Sequence, residues 1–223
     1  MQKYSPVSIF TITGLLYVFL IPPIVICSFQ ALSPMLLTNS FVLIRESSLL
    51  GLTGILLLLI VKGEKLGLES IGLHNKHWGK SILLSFVIMI ATIAVVLVCL
   101  TLFKLVGITY GKSDGKYAHV SLWVMTFMMI RAGFFEEIFY RGYMMERLNT
   151  ISKNWLVYFL LPSIIFGLMH YQQGIGGIII ATAGGLVVSY FYWKKRDLKA
   201  NIIAHIMVDL IPNIIIPLIF GNS

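Results

Sequence analysis

Three stretches of this 223-residue chain place proton-handling side chains where the surrounding sequence is apolar. The first runs from Arg131 to Leu148 and reads RAGFFEEIFYRGYMMERL. On a helix its adjacent carboxylates, Glu136 and Glu137, point about 100° apart, so one faces a cavity while the other meets a neighbour. Glu137 and Arg141 stand four apart with the acid first, the favourable order for a helical ion pair. That pairing orients Glu137 and leaves Glu136 the freer group. A carboxylate in a low-dielectric site is a better general base than one in water. The second stretch, PSIIFGLMH, puts Phe166 and His170 on one face, with Gly167 between them allowing close approach of another helix. The third, HIMVD, puts His205 and Asp209 on one face, and Asn213 extends it by a turn. Pro212 and Pro217 interrupt that helix and free backbone carbonyls towards a cavity.

Any one of these groups has a structural explanation: a salt bridge pinning two helices, or a hydrogen-bonded packing histidine. Two histidines on two stretches, an aspartate one turn on and a glutamate pair on a third stretch leave few structural explanations that need them all. Serine and cysteine mechanisms have poor candidates. Ser163 and Ser189 lack a GxSxG setting, and Cys27 and Cys99 sit in apolar runs without a neighbouring base. The cysteines read as small buried hydrophobes rather than a disulfide or metal framework. HExxH is absent. Two histidines and a carboxylate still form a set that zinc accepts, with water in the fourth position, and Glu136, His170 and His205 are that set here. Without metal, Glu136 would take a proton from water that His170 helps to orient, and His205 and Asp209 would face the developing oxyanion. Both routes are water attack on an acyl centre, and a peptide bond is the expected one.

The elements that must position these groups are membrane helices. The chain is 58% hydrophobic and 12% charged, with a mean hydropathy of +0.90. Soluble domains are nearer 45–50% apolar and about 25% charged. That much apolar surface excludes a soluble globular protein, and it equally excludes disorder. Seven apolar intervals of about the length a bilayer requires lie at 8–31, 42–62, 81–105, 121–146, 154–171, 175–193 and 200–220. The first is too long for a signal peptide, and Pro22 and Pro23 predict a kink in it. No repeat or linker divides the chain, which predicts one all-α integral-membrane domain over residues 1–223.

Net charge is +8. With alternating spans and a cytoplasmic N-terminus, the inside segments hold eleven basic residues: Lys3, Lys62, Lys65, Lys76, Lys80, Arg147, Lys153, Lys194, Lys195, Arg196 and Lys199. The outside segments and helix ends hold four: Arg45, Lys104, Lys112 and Lys116. This bias predicts a multi-pass protein of the cell membrane with its N-terminus inside. No basic stripe interleaved with aromatics calls for nucleic acid. Between Lys62 and Lys80, the residues Leu66, Leu68, Ile71, Leu73 and Trp78 fit either a segment lying along the membrane surface or a plain loop. Of the nine acids, Glu136, Glu137 and Asp209 are predicted inside spans and the others at loops or span ends. Arg131 and Arg141 are likewise within a span.

Glu136-Glu137-x-x-x-Arg141, Phe166-x-x-x-His170 and His205-x-x-x-Asp209, in that order on separate spans, resemble the three motifs of the CPBP family. That name covers type II CAAX prenyl proteases and the bacterial Abi, or bacteriocin-processing, proteins. The resemblance runs from about residue 120 to 212, and the flanks EEIFYRGYMMERL and LKANIIAHIMVD add to it. It implies an intramembrane endopeptidase, with Glu136 as water-activating glutamate, Glu137 as its companion, Arg141 as supporting arginine, Phe166 as packing aromatic and His170 and His205 as catalytic histidines. The family is labelled metalloprotease, and a metal-free glutamate mechanism has also been argued for it. The implied partners are the bilayer and a peptide or protein substrate, prenylated or otherwise membrane-anchored. The last family position, commonly Asn or Asp, is Asp209. An ionised aspartate suits a metal but repels an oxyanion, so a metal-free role requires Asp209 to be protonated or to orient His205, or Asn213 to supply the neutral donor.

Two other readings stand beside the protease: a non-catalytic bacteriocin-immunity or scaffold protein of the same fold, and a proton-coupled carrier, since intramembrane acids also mark ion pathways. No inverted-repeat half-motif accompanies the latter. A geometric demand accompanies all of this. At about 1.5 Å per residue, His205 lies roughly 8 Å past the inner end of its span and His170 roughly 24 Å deep. For them to meet, the fifth helix must tilt or start late, or the seventh must begin deeper. Pro162, Gly174, Gly176 and Gly177 permit such irregularity.

Overall fold

A computed structural model describes residues 7–33, 37–75, 77–109, 117 and 119–220. Lys3, Lys76, Lys112 and Lys116, which entered the charge count, lie outside the described residues. Among the described residues every regular element is helical, in seven segments. These are α1 (Ile9–Ala31), α2 (Asn39–Gly63), α3 (Trp78–Val106), α4 (122–151), α5 (Leu156–Leu168), α6 (Tyr171–Lys195) and α7 (Leu198–Ile219). Each answers to one predicted interval, but only α1, α2, α3, α6 and α7 are long and apolar enough to cross a membrane. The chain is therefore a multi-pass membrane protein with five such helices among its described residues rather than the seven expected. The reason is physical: α4 carries six charged side chains, and α5 at ~1.5 Å per residue is only about 20 Å long. Helix α1 runs as one helix through Pro22 and Pro23.

Helix α4 keeps its charges because it is surrounded by protein. It is α-helical over Leu122–Glu136, widens into a π-helix over Glu137–Met145, and ends as α-helix over Glu146–Ile151. All nine residues of the π stretch are buried. Its apolar members pack with Leu15 and Val18 of α1, Leu49, Leu56 and Ile60 of α2, Phe166 of α5, Tyr192 of α6 and Leu198 and Ile202 of α7. A π insertion inside an α-helix is rare and recurs at functional sites, because it re-aims side chains on either side of it.

Side-chain links show how the helices alternate. At one end, Asn39 at the start of α2 accepts from the backbone of Ser121 ahead of α4 (2.8 Å), and Gln30 of α1 accepts from Tyr171 of α6. At the other end the 62–80 connection meets the end of α4 and the α6–α7 turn. Arg147 pairs with Glu64 (2.7 Å), Arg196 with Glu146 (2.7 Å), and the backbone of Leu198 donates to Gly72 (3.1 Å). The connection is not a plain loop. Its one short turn, Leu68–Ile71, buries Ile71 completely beneath α4, where Leu66 and Leu73 also pack. Glu64 and Ser70 both bond the Arg147 guanidinium, which ties the connection to α4 on either side of Leu66 while Leu68 stays exposed.

Two further placements differ from expectation. Glu46, expected with the acids at loops or span ends, is fully buried on α2. It is bonded to Arg45 (2.6 Å) and to Arg131 of α4. The two histidines nevertheless come to one place: α5 stops at Leu168, leaving His170 just past its end, α7 begins buried at Leu198, and both histidine rings lie against Phe166. Asp197 caps α7 by accepting from the Ala200 backbone (3.2 Å) and is itself held by the Ser81 hydroxyl (2.5 Å).

Candidate active site

The π stretch of α4 sets Glu137 against α7. Its side chain has no exposed surface, and three donors hold it. Oε1 accepts from Arg141 Nη1 and from His205 Nδ1, both at 2.8 Å, and Oε2 accepts from Asn201 Nδ2 at 3.3 Å. A buried carboxylate is tolerable only when paired and hydrogen-bonded in this way. Arg141 is in turn spread over three partners, donating also to the Gly185 carbonyl (3.0 Å) and to Ser189 Oγ (3.3 Å) of α6. Its guanidinium lies 4.5 Å from the Phe166 ring centre. A side chain at Gly185 would meet both the guanidinium and that ring at 3.0 Å, so the close approach of α6 depends on a missing Cβ.

His205 gathers the acids. Its Nδ1 donates to Glu137, while Nε2 lies 3.6 Å from Glu136 Oε2 and 3.7 Å from Asp209 Oδ2. Glu136 and Asp209 remain partly exposed, at 19% and 32% of their side chains. The expectation that Glu136 is the freer acid agrees with this geometry. His170 sits just beyond the end of α5, its Nδ1 2.8 Å from the Phe166 carbonyl. A carbonyl can only accept, so Nδ1 carries the proton, and in the neutral ring Nε2 is the acceptor. The Phe166 ring stands between the two histidines, 4.8 Å from His170 and 6.0 Å from His205, centre to centre.

These groups border a cavity of about 470 Å³. One part of its wall holds Glu137, Arg141, His170, His205 and Asp209, and the rest is mostly apolar, drawn from α3, α6 and α7 with Phe166 of α5, its other polar members being Thr92, Gln173 and Asn213. Glu136 is not part of that wall. Asn213 is, but its amide donates to the Asp209 carbonyl (2.8 Å), which ties up one of its two protons.

The structure thus brings Glu136, Glu137, Arg141, Phe166, His205 and Asp209 into mutual reach, with His170 joined through Phe166 and the cavity. Among the described residues no three of His, Cys, Asp and Glu are grouped so as to hold a metal ion. The set Glu136, His170 and His205 does not form such a group: His205 Nδ1 is spent on Glu137, and its Nε2 faces two carboxylates beyond hydrogen-bond range. The donors present do not fit a metal centre, and no step below passes through one.

Sequence reasoning missed two supports. Asn201 stands four residues before His205 on the same face of α7, so the spacing N-x-x-x-H-x-x-x-D was the available signal. Ser163 and Ser189, dismissed as nucleophiles, are buried and bonded to each other at 2.9 Å, where they complete the shell of Arg141. Nothing in their local sequence announces that pairing.

No curated protein and no solved structure matches the chain. The family described as Type II CAAX prenyl endopeptidase Rce1-like matches residues 118–211, a segment that contains all three motifs and both histidines. Over those residues the chain therefore carries a domain of the Rce1-like type II CAAX prenyl endopeptidase family.

Proposed function

We propose that this chain is an intramembrane endopeptidase that hydrolyses a peptide bond with water activated by glutamate and histidine. The observation that carries the reading is the reach of one imidazole: His205 meets Glu137 at 2.8 Å, Glu136 at 3.6 Å and Asp209 at 3.7 Å, beside a largely apolar cavity. Glu136 takes a proton from the attacking water, and His170, with its acceptor Nε2, orients that water. The water oxygen bonds to the scissile carbonyl carbon, and the resulting oxyanion is met by His205. Glu137, oriented by Arg141, accepts from Nδ1, and with Glu136 and Asp209 beside Nε2 the ring carries a proton on each nitrogen, so that Nε2–H donates to the oxyanion. Asp209 acts on His205 rather than on the oxyanion, in keeping with its place beside Nε2. The proton on Glu136 then passes to the departing amine as the C–N bond breaks.

The same reading takes residues 1–223 as one domain of seven helices in the cell membrane, with the N-terminus in the cytoplasm. The substrate is a peptide or protein whose prenyl group or other anchor keeps it in the bilayer, where the apolar part of the cavity receives it. The test uses purified full-length protein in proteoliposomes and a fluorescence-quenched peptide bearing an isoprenylated cysteine near its C-terminus, alongside the same peptide without the lipid. Cleavage by the parent should disappear in Glu136→Gln and His170→Ala while their thermal unfolding in detergent stays unchanged, a loss on the order of 10²–10⁴-fold for a general base. Cleavage that persists in both variants overturns the mechanism. A parent that cleaves neither peptide, with phenotype intact in both variants, favours the immunity or scaffold reading.

A further inference from the structure

Asn201 Oδ1 is the one buried side-chain nitrogen or oxygen among the described residues that has no hydrogen-bond partner. The residue is 1% exposed, and its amide nitrogen donates twice, to Glu137 Oε2 (3.3 Å) and to the Val188 carbonyl (3.1 Å). Both partners only accept, so turning the amide over would set its oxygen against a carboxylate and a carbonyl. The orientation is thereby dictated, and it leaves the oxygen buried and unpaired, which costs stability. An apolar side chain of similar size would avoid that cost. Packing alone therefore gives no reason for an amide here; what the amide does is hold Glu137.

We infer that Asn201 is a positioning residue for His205, acting through Glu137. Asn201 and His205 lie one turn apart on α7 and approach the same carboxylate from one side. With Oε2 engaged by Asn201, Oε1 is left to Arg141 and His205. If that carboxylate rotated about its terminal bond, the imidazole would lose the acceptor that fixes the direction of its ring. Its Nε2 would then no longer be directed at Glu136 and Asp209. The charged groups around the imidazole come from two helices, Glu136, Glu137 and Arg141 on α4 and Asp209 on its own. Among them only the Glu137 contact is short enough to set the orientation of the ring.

This inference rests on the endopeptidase reading for its kinetic arm alone. The variants are Asn201→Leu, which removes both amide groups at similar volume, and Asn201→Ala. Each is made in the full-length protein and compared by thermal unfolding, by kcat and KM on the isoprenylated peptide, and by the ring ¹⁵N signals of His205 at fixed pH, assigned by their loss in His205→Gln. The expected result is a folded Asn201→Leu protein with KM within about twofold and kcat reduced about tenfold. The Nδ1 signal should shift as its hydrogen bond to Glu137 is loosened. A folded Asn201→Leu protein with parental kcat and parental His205 signals overturns the proposal. So does failure of both variants to fold, which would make Asn201 a structural residue. If the parent cleaves no peptide, the endopeptidase reading falls, whereas the His205 signals still decide this one.

Discussion

Glu46 and Glu137 are two fully buried acids on neighbouring helices, each held by arginine, and they differ in what else they touch. Glu46 is enclosed by two guanidiniums: Arg45 on its own helix takes one oxygen and Arg131 of α4 takes the other. Every contact is cation to anion, and together they tie α2 to α4. Glu137 shares one arginine with an imidazole and an amide, and it borders the cavity. A saturated ion cluster can only hold helices together. A carboxylate that passes its orientation to a histidine can also set up chemistry. Burial and an arginine partner are common to both, so neither identifies a site; the identity of the other donors does.

Substitution should separate the two. Glu137→Gln leaves Arg141 buried without its counter-charge and deprives His205 of its acceptor. It should lower unfolding stability by about 3–5 kcal/mol and also reduce kcat of the remaining folded protein at least a hundredfold. Glu46→Gln leaves the buried guanidinium of Arg131 and the half-buried one of Arg45 without a carboxylate. A similar loss of about 3–5 kcal/mol is expected, yet turnover per folded molecule should stay within about threefold of the parent. Detergent melts paired with active-fraction kinetics read both quantities. An equal loss of turnover in the two variants would break the distinction. A smaller effect should follow from Gly167→Ala, whose Cβ would stand 1.8 Å from Thr182 Oγ1 and 2.9 Å from the Ile178 carbonyl. Since the backbone of α6 cannot yield as a side chain can, separating α5 from α6 should cost about 1–3 kcal/mol and shift Phe166 and His170, lowering kcat more than stability suggests. Smallest of all, Ser189→Ala removes one hydroxyl from the Arg141 shell. It should cost about 1 kcal/mol in a melt with little change in turnover, because Glu137 and Gly185 still hold the guanidinium.

Much of this site was legible before any fold was known. Glu136, Glu137, Arg141, Phe166, His170, His205 and Asp209 stand out because ionisable groups inside apolar runs are costly and few, and helical spacing assigns them to shared faces. Glu46 escaped because it lies near the start of its helix, where a charge reads as an interfacial residue; that it turns inward depends on Arg131, 85 positions away. Asn201 escaped because an uncharged amide in an apolar run has no cost visible from composition. Its meaning arises only opposite Glu137. The packing of the 62–80 connection escaped for the same reason: its leucines and lysines fit a surface segment and a plain loop equally until Arg147 is known to pair with Glu64.

From the order of residues alone came the helical class, the number and approximate bounds of the helices, and the list of groups able to do chemistry. These follow from local periodicity and from the energetic penalty of charge in hydrocarbon, both of which act over a few turns of chain. The tertiary structure decided which of the two glutamates is enclosed, which helix is central rather than membrane-crossing by composition, how a short α5 and an early-buried α7 bring their histidines to one ring of Phe166, and that Asn201 belongs to the site. Those outcomes depend on contacts between segments far apart in sequence, and a one-dimensional pattern carries no information about which distant partner will satisfy a buried polar group.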